Sequence, residues 1–419
     1  MTTTPMEANE VAAPRNPLFP SSRQTFAGFI VAAASIATAY VIGIEDAETG
    51  AIWLLALAFG FTLQRARFCF AAAFRDLFLF GSAQNMKGIL VGMAVSTIGF
   101  AAIMYWLVSK PGSGALPGEA HILPVGFSVV IAGVVFGVGM VIAGGCVSGS
   151  LYRMAEGYIT SWVTIAAVIV GLGGLSLTWN WWWEHLISNE PKIWLPATGG
   201  LGYSGAVALT LAGLAGIYVL LTWWEARNSI YSPVIKKKVT GIPDFTERMS
   251  TTLSSVFKHG WSVTIGGAVL GFIAVVMYTI HMPLGVTGEL MFLSQEMLGL
   301  FGIKDIVMNG LADMGGCTGL IGEGFVNHNF ALTIGLLPGA LMGALFAGEF
   351  RIRYPRQARR YFQAAGGGLL MGYSAGLGIG CTVGAFFSSI PSLSVSGWLF
   401  GLSLAGGAFI GTKIITRIA

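Results

Sequence analysis

Charged residues are scarce in this chain. Asp, Glu, Lys and Arg make up 10% of its 419 residues, where a soluble domain carries about 25%. With 54% hydrophobic residues and a mean hydropathy of +0.73, it reads as an integral membrane protein. The short alternating runs of a membrane β-barrel are also missing, so the spans read as helices. Only four cysteines occur, none in a Cys-x-x-Cys pair, which argues against a thioredoxin-type relay and against a zinc site. The histidines, His121, His185, His259, His281 and His328, make no ligand-spaced cluster and read as interfacial polar residues. No metal and no cofactor are expected. No Gly-x-x-x-x-Gly-Lys-Ser/Thr loop is present, so nothing points to ATP hydrolysis by this chain. The net charge of +4 comes from loop clusters rather than one basic amphipathic face, which makes no case for nucleic acid.

What the chain does have is a series of apolar stretches, most of them near the roughly 17–25 residues needed to span a bilayer. They are expected near 27–44, 51–64, 86–108, 125–146, 160–178, 203–223, 261–281, 331–348, 363–384 and 396–412. Basic residues gather in alternate loops: Arg65, Arg67 and Arg75; Lys236, Lys237, Lys238, Arg248 and Lys258; Arg351, Arg353, Arg356, Arg359 and Arg360. The loops between are acidic or neutral, as in Glu45-Asp46-Ala47-Glu48, with Lys110 the main dissenter. By the positive-inside rule the basic loops and both termini are cytoplasmic. The expected division is a disordered tail over 1–25, an extra N-terminal helix over 26–50, a first transport repeat over 51–224, a basic linker over 225–260 and a second repeat over 261–419. Ala37-Thr38-Ala39 resembles a signal-cleavage site, but the apolar run before it is long, and a retained helix is the preferred reading.

Two glycine-rich segments carry the strongest signal. VVIAGVVFGVGMVIAGGCVSG, through Cys146, and AAGGGLLMGYSAGLGIGCTVG, through Cys381, align without a gap at Gly133/Gly368, Gly137/Gly372, Gly145/Gly380, Cys146/Cys381 and Gly149/Gly384. The loop charges send the two segments through the membrane in opposite directions, giving inverted pseudo-symmetric halves, an arrangement common among transporters and channels. Duplication of a helical hairpin without transport is the alternative. Glycine lets membrane helices pack closely and also permits breaks. Each segment is therefore expected to break near its cysteine and re-enter, its freed amides drawing an anion. The second span, short before Gln64-Arg65-Ala66-Arg67-Phe68-Cys69, reads as broken or interfacial. The segment 282–330, with Gly315-Gly316-Cys317-Thr318-Gly319, is too apolar for a loose loop and reads as short helices or re-entrant pieces, with Glu289, Glu296, Asp313 and Glu323 as solvated carboxylates. Trp179, Trp181, Trp182, Trp183 and Trp194 read as an interfacial belt.

A buried cysteine is usually a small hydrophobe. Repeat equivalence and glycine flanks set these apart, and the candidate substrate-binding residues are Cys69, Cys146, Cys381, Cys317, Gly145 and Gly380. A neutral thiol is a weak donor and weak acceptor with a soft sulfur, suited to a sulfur- or selenium-bearing anion that must be handed on rather than held. Arg153 is the nearest cation in sequence to Cys146. Disulfide formation is the competing use of thiols that meet.

Arg67-Phe68-Cys69-Phe70, Gly144-Gly145-Cys146 and Gly378-Ile379-Gly380-Cys381, followed by Phe386-Phe387-Ser388-Ser389-Ile390-Pro391, resemble the YeeE/YedE sulfur-transport family from about residue 50 to the end. The resemblance implies an all-α polytopic inner-membrane fold with two pseudo-symmetric halves. It also implies thiosulfate uptake along a three-cysteine relay, placed by motif at Cys69, Cys146 and Cys381, with Cys146 expected to matter most. Cys317 is an additional cysteine without a match in that pattern. Other sulfur or selenium species are alternative cargoes, and a cytosolic sulfur-carrier protein is a candidate receiver. Two other classes stay open: a membrane thiol protein passing electrons or sulfane sulfur, and the membrane anchor of a larger assembly.

Overall fold

The computed structural model describes residues 22–228, 260–303, 306–318 and 326–418. Among the described residues thirteen α-helices occur in order: α1 Ser22–Glu45, α2 Ala47–Ala66, α3 Phe70–Phe80, α4 Gln84–Leu107, α5 Phe127–Ala143, α6 Val147–Ala155, α7 Ile159–His185, α8 Gly202–Asn228, α9 Val263–Ile280, α10 Gly288–Leu300, α11 His328–Phe346, α12 Arg359–Leu377 and α13 Val395–Ile418. A π-helical turn over Thr382–Ser388 lies between the last two. Among the described residues nine helical segments are long and apolar enough to cross a membrane, or ten with the pair α12 and Thr382–Ser388, which is bent by 49°. This is the expected all-helical polytopic fold. Helix α1 already includes Ser22–Thr25, residues expected to belong to the N-terminal tail. The rest of the N-terminal tail and most of the basic linker (229–259) lie outside the described residues.

Polar residues at the helix starts satisfy amides that would otherwise lack partners. The Asp46 carboxylate accepts from Glu48 N at 3.1 Å and Thr49 N at 3.2 Å at the head of α2. Ser262 accepts from Ile265 N at 3.3 Å for α9, and Asn327 from Phe330 N at 2.9 Å for α11.

Glycine contacts bring the helices together in four main pairs: α2 with α11, α4 with α9, α5 with α13, and α7 with α12. A β-carbon built at Gly60 would lie 2.0 Å from Leu336 O, and one at Gly267 1.9 Å from Gly88 O, so these backbones touch where nothing larger than hydrogen fits. The aligned glycines behave alike. Gly137 of α5 meets Leu404 O of α13 at 2.5 Å, and Gly372 of α12 meets Val168 O of α7 at 2.1 Å, both measured from such a β-carbon. In a bilayer such close van der Waals packing substitutes for the hydrophobic effect.

Two sequence readings change here. Trp179 and Trp194 are fully buried rather than interfacial. The Trp179 indole donates to Asn309 O at 2.9 Å, because the chain after α10 folds over it; Trp181 stays exposed. Glu289 is likewise buried, since its segment folds inward as the short helix α10 instead of looping through water.

Candidate functional site

All four cysteines are buried free thiols, and all four sit at breaks in the helical backbone. The residue two positions before each thiol adopts a positive φ: Arg67 at 49°, Gly144 at 77°, Gly315 at 68° and Ile379 at 53°. Glycine takes this conformation freely. Arg67 and Ile379 do not, and a side chain held there costs on the order of 1–3 kcal/mol. Three of the thiols occupy the cap position of the next helical segment: Cys69 precedes α3, Cys146 precedes α6 and Cys381 precedes the π-helical turn. Cys146 Sγ accepts from Gly149 N at 3.3 Å and lies 3.5 Å from Ser148 Oγ. The expected breaks are therefore present. Across Cys146, α5 and α6 still form one long broken segment, whereas the path across Cys381 bends.

The thiols come in two pairs. A β-carbon at Gly149 would lie 2.9 Å from Cys69 Sγ and 3.1 Å from Cys146 Sγ, so the two thiols flank it. A β-carbon at Gly384, the aligned partner of Gly149, would lie 2.0 Å from Cys317 Sγ, and one at Gly380 3.1 Å from the same sulfur. Cys317 thus takes up beside Cys381 the place that Cys69 takes beside Cys146. At Gly145 the neighbours are Ser150 Oγ at 3.2 Å and Arg153 Nη1 at 3.5 Å from such a β-carbon.

The surroundings of the pairs differ. Beside Cys69 and Cys146 a cavity of about 380 Å³ is lined by Arg67, Tyr152, Arg153, Glu156, Glu349 and Arg353, with Tyr158. Arg67 Nη2 pairs with Glu349 Oε1 at 2.9 Å, and Gln64 Nε2 bridges Glu156 Oε1 at 3.0 Å and Glu349 Oε2 at 2.9 Å. Arg153 Nη1 donates to Gly144 O at 2.7 Å, holding the turn before Cys146. Among the described residues no carboxylate forms a salt bridge with Arg153, whose guanidinium stands beside Gly145, one residue before Cys146. Around Cys317 and Cys381 the polar groups are neutral. His121 is fully buried, its Nδ1 lies 3.1 Å from Gly384 O, and its Nε2 has no hydrogen-bond partner among the described residues. A carbonyl only accepts, so Nδ1 carries the proton and Nε2 of the neutral ring is an acceptor. The hydroxyls of Thr318 and Thr382, next to the two thiols, are buried and equally without partners among the described residues. Between the pairs stand phenylalanines: the Phe70 ring, beside Cys69, packs on Phe387 at 5.9 Å and Phe386 at 6.4 Å.

Sequence reasoning singled out the four thiols and the two glycines and noted Arg153 near Cys146, but not which thiols approach one another; the structure brings Cys69 to Cys146 at Gly149 and Cys317 to Gly380 and Gly384. It missed His121, read as interfacial, because its partner Gly384 lies far along the chain and no spacing links them.

A family profile described as "Sulphur transport" matches residues 65–410. The chain belongs to the sulphur-transport family. It is 30% identical over 386 residues to the thiosulfate transporter TsuA of Spirochaeta thermophila, covering 87% of this chain and 99% of the relative. It is 25% identical over 349 residues to the thiosulfate transporter TsuA of Escherichia coli, covering 81% and 87%. A shorter similarity, 32% over 173 residues and 41% of each chain, links it to the probable transporter YedE of Escherichia coli. The chain is thus a multi-pass membrane protein of a transporter family, as its cysteine motifs imply. Helix α1 and most of α2 precede the matched region.

Proposed function

We propose that this chain imports thiosulfate across a bacterial inner membrane, passing it from the thiol pair Cys317 and Cys381 to the pair Cys146 and Cys69. Other small sulfur or selenium anions are the neighbouring cargoes. The observation that carries the reading is the placement of four buried thiols, in pairs, at backbone breaks around the aligned glycines Gly149 and Gly384. Relatives named as thiosulfate transporters support the cargo.

The chemistry rests on the groups present. A dianion entering a low-dielectric interior carries a large desolvation cost, and a fixed ion pair deep in the path would hold it too tightly to leave. Thiols offer weak, reversible S–H contacts to a terminal sulfur. Hydroxyls of Thr318 and Thr382 add neutral donors at one pair, and the first-turn amides behind Cys146 add more at the other. The arginine cavity then supplies a cationic exit. Loop charge puts that cavity on the cytoplasmic side, where a sulfur-carrier protein has access to the product, and the Asp46 end of α2 outside.

The packing supports two related repeats, 51–224 and 261–419. Exchanging α2 with α9, α4 with α11, α5 with α12 and α7 with α13 turns each main helix pair into another main pair. The same exchange turns Cys146 into Cys381; Cys317, between α10 and α11, reaches Gly384 from a different place in the chain than the α2–α3 junction from which Cys69 reaches Gly149.

Growth of a sulfur-auxotrophic host carrying this gene tests the cargo. Growth on thiosulfate, and not on sulfate, is expected; growth on sulfite or selenite instead assigns the path to another species.

A further inference from the structure

Two histidines and two carboxylates meet at the opposite end of α2 from the arginine cavity. Asp46 and Glu48 stand at the α1–α2 junction, His281 ends α9 and His328 opens α11. His281 Nδ1 lies 2.9 Å from Glu48 Oε1. His328 Nε2 lies 3.9 Å from that same oxygen and 3.1 Å from Asp46 Oδ2. The imidazole rings meet edge to face with centroids 4.3 Å apart. One ligand atom from each of Glu48, His281 and His328 falls within 4.8 Å of the other two. In sequence the two histidines share no ligand spacing, because they come from different helices, and only the fold joins them.

We propose that Glu48, His281 and His328 bind one divalent transition-metal ion of the zinc class, with Asp46 beside them. Two imidazoles and a carboxylate are a ligand set that zinc takes at about 2.0–2.2 Å, leaving a further position open. Calcium and magnesium demand oxygen ligands and are not served by this set. An ion at such distances holds its ligand atoms roughly 3.3 Å apart, so small rotations of exposed side-chain ends close the site. Glu48, His281 and His328 are each partly exposed, at 40%, 18% and 32% of their side-chain surface, which gives a hydrated ion access. The plain alternative is a pair of separate histidine–carboxylate hydrogen bonds. Glu48 Oε1 argues for a shared centre, since both ring nitrogens converge on that one atom. Asp46, fixed by capping α2, contacts the same His328 Nε2 that ligates the ion, so binding exchanges that hydrogen bond for the metal and leaves Asp46 as a neighbouring carboxylate. The bound ion fastens the α1–α2 junction to α9 and α11, helices that pack in separate main pairs.

Full-length protein in detergent, its affinity tag removed, is titrated with Zn²⁺ alone and separately with Co²⁺, and metal per chain is measured. The expected result is one ion per chain and visible Co²⁺ absorption without a thiolate charge-transfer band. His281→Ala and His328→Ala each weaken binding more than about tenfold, and Glu48→Gln less so. No saturable binding by the unaltered protein overturns the proposal. So does a thiolate band, which assigns the ion to cysteine, or an unchanged stoichiometry in the His281→Ala, His328→Ala double variant. The Co²⁺ spectrum of the unaltered protein decides alone where a variant fails to fold.

Discussion

The two thiol pairs share a backbone device and differ in electrostatics. Near Cys69 and Cys146 stand the guanidinium of Arg153 and a polar cavity beyond. Beside Cys317 and Cys381 stand threonine hydroxyls and His121 instead. The spacing differs as well, since the void at Gly149 is looser than the one at Gly384. On the proposed path, one end would receive an anion with neutral donors and the other would draw it out with charge. A field that rises in one direction favours passage without a deep well, because electrostatic interactions strengthen where water is excluded.

The comparison can be broken at its strongest point first. Cys146→Ser is expected to lower thiosulfate uptake at least about tenfold, roughly 1.4 kcal/mol of barrier, measured with labelled substrate in vesicles. Its sulfur accepts from a helix-start amide, Gly149 N. Next, Arg153→Ala removes both the charge and the donor to Gly144 O, and apparent affinity should fall about tenfold, within the range of a charged hydrogen bond. Arg153→Lys should recover part of it, and KM from uptake kinetics reads both. Alanine at the two aligned glycines then separates the pairs by packing. Gly384→Ala drives a methyl into Cys317 Sγ and should lower stability by about 1–3 kcal/mol, with Gly149→Ala costing less, as thermal unfolding in detergent will show. The smallest effect is expected for Cys317→Ser, about two- to threefold in uptake or roughly 0.5 kcal/mol, because Thr318 and Thr382 remain beside it. A larger loss for Cys317→Ser than for Cys146→Ser would reverse the ordering of the pairs.

Much of this was legible in the residues. Long apolar runs become helices because no other lipid-embedded backbone satisfies its own amides. The breaks before Cys146 and Cys381 were readable from glycine. The break before Cys69 was hinted at only by a short span, because Arg67 takes a left-handed conformation that its side chain disfavours. The place of Cys317 was illegible: it lies in a segment without a counterpart in the aligned repeat, and its contact with Gly384 exists only once the helices pack. Long-range packing also buried Trp179, Trp194 and His121 and assembled His281 with His328.

The central claim is that the cargo travels by the thiols. Purified protein in lipid vesicles, with no partner protein present, tests it through uptake of labelled thiosulfate by the unaltered chain and by one with serine at Cys69, Cys146, Cys317 and Cys381. The account predicts uptake by the first and none above empty vesicles by the second, with both equally folded by circular dichroism. Equal uptake by the two would contradict it.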